Sequence, residues 1–179
     1  MIARLFKVTS FVTFFLVLLA LPSCKRIAVQ HRYKQMVEHE VVMPQGMTLL
    51  SERFVNPFGK TDRIVVWFDA HACSTCEVKR LNGWTSVLDS FGEEAPDPIF
   101  VFSCPEDLRD EFETTIANME YGFSIWADYQ NEFELNNKQI PADSRFHTFV
   151  IDSTNNVVLI GNPVYNKKIR QLYQSYFKQ

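Results

Sequence analysis

Ile64-Val65-Val66-Trp67-Phe68-Asp69-Ala70-His71-Ala72-Cys73-Ser74-Thr75-Cys76 joins an unbroken apolar run to a Cys-x-x-Cys pair and leads into helix-patterned sequence. The run Ile64–Phe68 predicts a strand buried on both faces. A dithiol then stands where a helix begins. A thiol held there meets backbone N–H groups without intrahelical partners and the positive end of the peptide dipoles, and both stabilise its thiolate. Three residues apart on one helical turn, the two sulfurs lie close enough to bond while the first stays at the helix end.

Downstream, Val78, Leu81, Trp84, Leu88 and Phe91 recur at spacings of three and four, predicting one helix from about Ser74 to Phe91 with Gly92 as its stop. Pro98–Phe102 is the next buried strand. Ser103 and Glu106 have capping-box spacing, with Pro105 in the first turn and Leu108, Phe112, Ile116 and Met119 as the stripe of a second helix. Ser124–Ala127 reads as a short strand and Gln130–Asn136 as a weak helical piece. Thr148–Ile151 and Val157–Ile160 flank the turn sequence Asp152-Ser153-Thr154-Asn155-Asn156, and Ile169, Leu172, Tyr173 and Tyr176 mark a terminal helix. Upstream, Pro44-Gln45-Gly46 and Asn56-Pro57-Phe58-Gly59 bracket Met47–Val55, an edge strand or hairpin. The sum is a three-layer α/β domain with a parallel part and a closing antiparallel hairpin.

At the N-terminus, Arg4 and Lys7 precede the apolar run Val8–Leu21, the pattern of a secretory signal peptide. The run falls short of the about 20 apolar residues that a spanning helix needs. It ends in Leu21-Pro22-Ser23-Cys24, which resembles the bacterial lipobox despite Pro22 at the middle position. That resemblance implies acylation of Cys24 as the first mature residue, a lipid-anchored envelope protein, and a domain in the periplasm or facing outside. Lys25–Glu40 is polar, with His31 and His39 expected as solvated surface.

The 179-residue chain carries a net charge of −3 and no long basic run, so it lacks the electrostatic footprint of a nucleic-acid partner. It has four cysteines. In an oxidising envelope a Cys-x-x-Cys is more often catalytic or disulfide-bonded than metal-binding. With Cys24 acylated, Cys73 and Cys76 pair and Cys104 is left as a packed free thiol. A purely structural staple would close too short a loop to remove much chain entropy, and a zinc site would need further ligands, for which no second Cys-x-x-Cys exists.

From Ile64 to Gln179 the chain resembles thioredoxin-fold thiol-disulfide oxidoreductases of the bacterial envelope, some of which are lipoproteins. The matching pieces are Phe68–Cys76 for the active-site turn, Phe146-His147-Thr148-Phe149-Val150-Ile151-Asp152 for the following strand, and Gly161 after the hairpin. The resemblance implies a thioredoxin-like three-layer α/β fold, a central mixed β-sheet with helices on both faces. The domain plan is then a lipoprotein signal peptide over residues 1–23, a tether over 24–44 and the thioredoxin-like domain over 45–179. It implies Cys73 as nucleophile and Cys76 as resolving thiol, with His71, Ser74, Thr75 and His147 as neighbours. No cofactor is implied. The implied partners are client protein thiols or disulfides, an envelope electron donor and the membrane through the lipid.

Three departures stand out. His147 occupies the slot before Thr148 where such proteins carry a proline, with Pro141 six residues earlier. Trp67 takes the place of a buried acidic residue, leaving Asp69, His71 and Glu77 as acid–base groups nearby in sequence. Ser74-Thr75 replaces Gly-Pro between the cysteines. Were His147 to face the dithiol, Cys73, Cys76 and His147 would form a copper(I) or zinc set, the alternative to redox exchange; its imidazolium could instead lower the Cys73 pKa. A non-catalytic binding module is the third reading. Tyr121, Phe123, Trp126 and Tyr129 are expected to pack, with a substrate-facing patch as their alternative.

Overall fold

The computed structural model describes residues 27–37, 39–51, 53, 55–59, 61–72, 74–91, 96–119 and 122–178, with backbone alone at 74 and 75. Cys24, Cys73 and Tyr121 lie outside them, as does the expected signal peptide. The chain forms two compact units, residues 1–35 and 36–179. In the first, residues 27–35 are exposed and belong to a helix over 27–37 (α1). The remaining elements are β1 (Thr48–Leu49), β2 (Arg63–Phe68), α2 (Ser74–Val78), α3 (Gly83–Asp89), β3 (Pro98–Ser103), α4 (Arg109–Ala117), β4 (Ser124–Asp128), α5 (Glu132–Asn136), β5 (Thr148–Ile151), β6 (Val157–Ile160) and α6 (Lys167–Phe177).

Six strands form one mixed sheet in the order β1-β4-β3-β2-β5-β6. β2, β3 and β4 run parallel, while β5 is antiparallel to both β2 and β6, and β1 is antiparallel to β4. β2 is central and buried on both faces, as its unbroken apolar character demands. Ile64 and Val66 face a core shared with Val78, Leu81 and Trp84 of the α2–α3 segment, Phe112 of α4 and Tyr173 of α6. Val65 and Trp67 face the opposite core, filled by Met36, Val41, Met43, Phe133 of α5, Phe146 and Phe149. The sheet is thus covered on both sides, a thioredoxin-like α/β fold.

Several local expectations change. The single helix over Ser74–Phe91 is two helices, because residues 79–85 tighten into turns with Leu81 N–H bonding to the Val78 carbonyl (3.1 Å), Gly83 to Arg80 (3.1 Å) and Trp84 to Leu81 (2.8 Å). Gly83 sits where a side chain would collide with Val164, since a Cβ there would lie 2.9 Å from Val164 Cγ1. Of the expected stripe Val78, Leu81, Trp84 and Phe91 are buried in the core and Leu88 packs against it partly buried, while Val87, outside that spacing, is buried as well. Ser103 is not a helix cap. It ends β3, buried, and its Oγ accepts from Trp67 Nε1 at 3.0 Å; a 3₁₀ turn over Glu106–Leu108 precedes α4, and Leu108 faces solvent. Leu172 likewise lies on the outer side of α6. Phe123, Trp126 and Tyr129 are buried, as packing required, and His31 and His39 are exposed.

At the start of β2, Arg63 is 2% exposed. Its guanidinium donates to the Pro57 carbonyl (2.6 Å), the Thr61 carbonyl (3.1 Å), the Asp152 carbonyl (3.3 Å) and Asn155 Oδ1 (2.5 Å). One planar fork thereby ties β2 to the loop before it and to the β5–β6 turn. Arg63→Leu would leave these buried acceptors unpaired, and we expect it to cost about 3 kcal/mol in urea unfolding, with Arg63→Lys recovering part of the loss.

Candidate functional site

β2 ends at Phe68, and the chain turns back over residues 69–72. The Asp69 carboxylate makes that turn: Oδ1 accepts from the N–H groups of His71 (2.9 Å) and Ala72 (3.0 Å), and the Asp69 carbonyl accepts from Ala72 as well (3.0 Å). A short side chain satisfying the backbone two and three residues on is how Asp starts a turn. Residue 73 and α2 follow directly. Cys76 is exposed within α2 and is disulfide-bonded. Cys104 is buried and outside any disulfide, as expected. Because α2 spans only five residues, fewer aligned peptides stand behind its N-terminus than the sequence period predicted.

On the other side of the turn lies His147. The antiparallel pairing of β2 with β5 places it there: Val66 pairs with Thr148, and the Trp67 N–H donates to the His147 carbonyl at 2.8 Å. The imidazole is 4% exposed and its ring centre lies 4.2 Å from that of Trp67, which also packs on Phe133 at 5.4 Å. Nε2 lies 2.9 Å from the Pro141 carbonyl oxygen. A carbonyl only accepts, so Nε2 carries the proton and donates. Nδ1 lies 3.6 Å from Asp69 Oδ2.

Burial pushes the His147 imidazole below its ordinary pKa, while the Pro141 carbonyl and the Asp69, Asp143 and Glu134 carboxylates oppose that effect without overcoming it. The neutral ring therefore turns an Nδ1 lone pair toward the Asp69 carboxylate; only the imidazolium can donate to it.

The slot before β5 thus holds His147, and Pro141 serves it as a hydrogen-bond acceptor. Trp67 supplies no acid–base group; it is a core side chain bonded to Ser103. His71 is exposed and contributes its backbone N–H to the Asp69 turn, and Glu77 pairs with Arg80 at 2.6 Å. The sequence reading missed the Asp69–His147 approach, although Asp at a strand end followed by small residues is a turn signal that marks Asp69 as a structural carboxylate. Among the described residues no cluster of three His, Cys, Asp or Glu side chains could hold a metal ion, and no helix is long and apolar enough to cross a membrane.

The lowered His147 pKa fixes the sign of a pH effect. Below the unfolded value of about 6.5 the unfolded chain binds a proton that the folded chain resists. Stability present above that pH is lost as pH falls toward the folded value. Thermal melts are expected to show the wild type losing more stability than His147→Asn between neutral pH and about pH 5.

Comparison with solved structures finds similarity to the thioredoxin domain of a thiol-disulfide oxidoreductase from Bacteroides vulgatus, at 12% identity and a TM-score of 0.45, covering 65% of this chain and 81% of that one. The chain is also similar to the N-terminal domain of PilB from Neisseria gonorrhoeae, at 14% identity and a TM-score of 0.44, over 65% of this chain and 78% of that one. A thioredoxin-like protein from Porphyromonas gingivalis matches at 11% identity and 0.42, over 65% and 78%. No family model matches the chain, and no curated protein does. The thioredoxin-like fold rests on strand order, strand polarity and the two-sided cover of β2.

Proposed function

We propose that the chain is a thiol-disulfide oxidoreductase whose reactive pair is Cys73 and Cys76. The observation that carries this reading is an exposed, disulfide-bonded Cys76 in the short helix that follows the central strand. Cys104 is outside any disulfide, so the remaining candidates for the partner of Cys76 are Cys73 and Cys24. Cys73 is three residues away, and Cys24 is consumed by acylation in the lipoprotein reading. So small a ring adds little stability, whereas an exposed disulfide is open to attack by a thiolate.

In the proposed cycle the Cys73 thiolate attacks one sulfur of a client disulfide, and the other client sulfur leaves as thiolate. Cys76 then attacks Cys73 Sγ, releasing the second client sulfur and leaving Cys73–Cys76 oxidised. Two electrons from an envelope donor, itself a dithiol oxidised to disulfide, restore the pair. The N-terminal sequence supports a bacterial envelope protein held at the membrane by acylated Cys24, acting as a reductant or exchanger for particular clients. Copper or zinc binding through Cys73, Cys76 and His147 has less support, because Nε2 is bonded to Pro141 and Nδ1 faces Asp69.

In defined glutathione buffers the purified protein is expected to cycle between dithiol and disulfide. Cys76→Ser should accumulate mixed disulfides with client thiols, and Cys73→Ser should accumulate none. Absence of cycling in the wild type removes the enzyme reading.

A further inference from the structure

We propose that Asp69 and His147 form a proton-operated latch on the turn that leads into the dithiol, so that the redox equilibrium of the Cys76 disulfide depends on whether His147 Nδ1 carries a proton. This rests on the redox reading of that disulfide; the latch itself rests on geometry among described residues.

The two ring nitrogens have unequal partners. Nε2 is committed to the Pro141 carbonyl at 2.9 Å in either protonation state. Nδ1 lies 3.6 Å from Asp69 Oδ2. With the ring neutral, a lone pair opposes a carboxylate. With the ring protonated, Nδ1–H donates to that carboxylate, and a charge-assisted hydrogen bond replaces a repulsive approach. The same carboxylate holds the N–H groups of His71 and Ala72 through its other oxygen. Proton uptake at one buried atom therefore fixes the residue that shapes the turn immediately before position 73.

The surroundings favour a two-state response. Trp67 covers the ring from β2 and contributes no charge. Asp69 faces it from the turn, Asp143 from the segment before β5 and Glu134 from α5. Arg145, the nearby cation in sequence, is paired with Asp143 at 2.5 Å. Burial opposes the proton and three carboxylates favour it, which leaves occupancy sensitive to one further charge. Reduction of the disulfide supplies such a charge whenever a thiolate forms beside the latched turn, and a negative charge favours imidazolium. By reciprocity, an imidazolium then favours the reduced form.

The test uses the full chain in detergent, equilibrated with reduced and oxidised glutathione across a pH series. A protein thiolate formed on reduction releases one proton and by itself favours the reduced form as pH rises, so linkage to the imidazole is read as the difference between wild type and His147→Asn at each pH. Relative to His147→Asn, the wild-type reduced form is expected to gain about fivefold as pH falls through the His147 titration, the low end of ordinary coupling between sites. Asp69→Asn keeps an oxygen for the His71 and Ala72 N–H groups while removing the charge, and should abolish the shift. NMR should place the His147 midpoint higher in reduced than in oxidised protein, and lower in Asp69→Asn than in wild type. A shift that is missing from the wild type or survives in Asp69→Asn overturns the latch, as does a midpoint indifferent to redox state. If the wild-type disulfide does not exchange with glutathione at any pH, the redox reading and the coupling fail together. The Asp69–His147 contact is then judged separately, by whether Asp69→Asn moves the midpoint in chemically reduced protein.

Discussion

The Trp67 N–H to His147 carbonyl hydrogen bond (2.8 Å) extends the antiparallel β2–β5 pairing by one residue, and the arrangement of the site depends on it. A slip of one residue would turn β5 over and send Phe149 and Ile151 away from their core. With the register held by that burial, His147 must sit beside Trp67 at the end of β2 where the chain turns. No interaction of the imidazole chooses this position; the division of β5 between two cores does, with Phe149 and Ile151 in one and Val150 in the other.

The two ends of β2 solve a buried polar problem in opposite ways. At its start, Arg63 is surrounded by acceptors that match its planar fork. That end has one low-energy arrangement. Past its other end, Asp69 and His147 are within reach without a settled hydrogen bond between Nδ1 and Oδ2, and a proton changes the sign of their interaction. A rigid anchor and an adjustable contact thus share one central strand. Cys76, disulfide-bonded and open to solvent, lies beyond the adjustable end, where the backbone has left the sheet.

Much of the fold could be read from periods. β2 and β3 followed from unbroken apolar runs, the β5–β6 hairpin from its turn residues, and the core face of α2 and α3 from spacings of three and four. The break between those helices was not legible, because the apolar residues keep their side through the tightened turns and because Val164, which closes on Gly83, lies far along the chain. Ser103 misled for a similar reason. Its spacing to Glu106 suits a cap, but the hydroxyl is held inside the sheet by Trp67 Nε1, a partner no local pattern reveals. Leu108 and Leu172 fit helical stripes and still face solvent, since a stripe gives a side chain's direction and the packing of neighbours decides whether anything covers it.

By itself the sequence determined the succession of strands and helices, the placing of a Cys-x-x-Cys pair after the central strand, and the unusual residues at positions 67 and 147. These follow from side-chain period, turn chemistry and residue identity, all local along the chain. Only the tertiary structure decided what those residues do. Sheet pairing set Trp67 against His147, and the loop before β5 supplied the Pro141 carbonyl. The Asp69 turn brought a carboxylate to Nδ1. The Trp67 and Asp69 contacts join segments distant in sequence, the Pro141 contact is local, and all three meet at the end of β2 because that strand is buried between two cores.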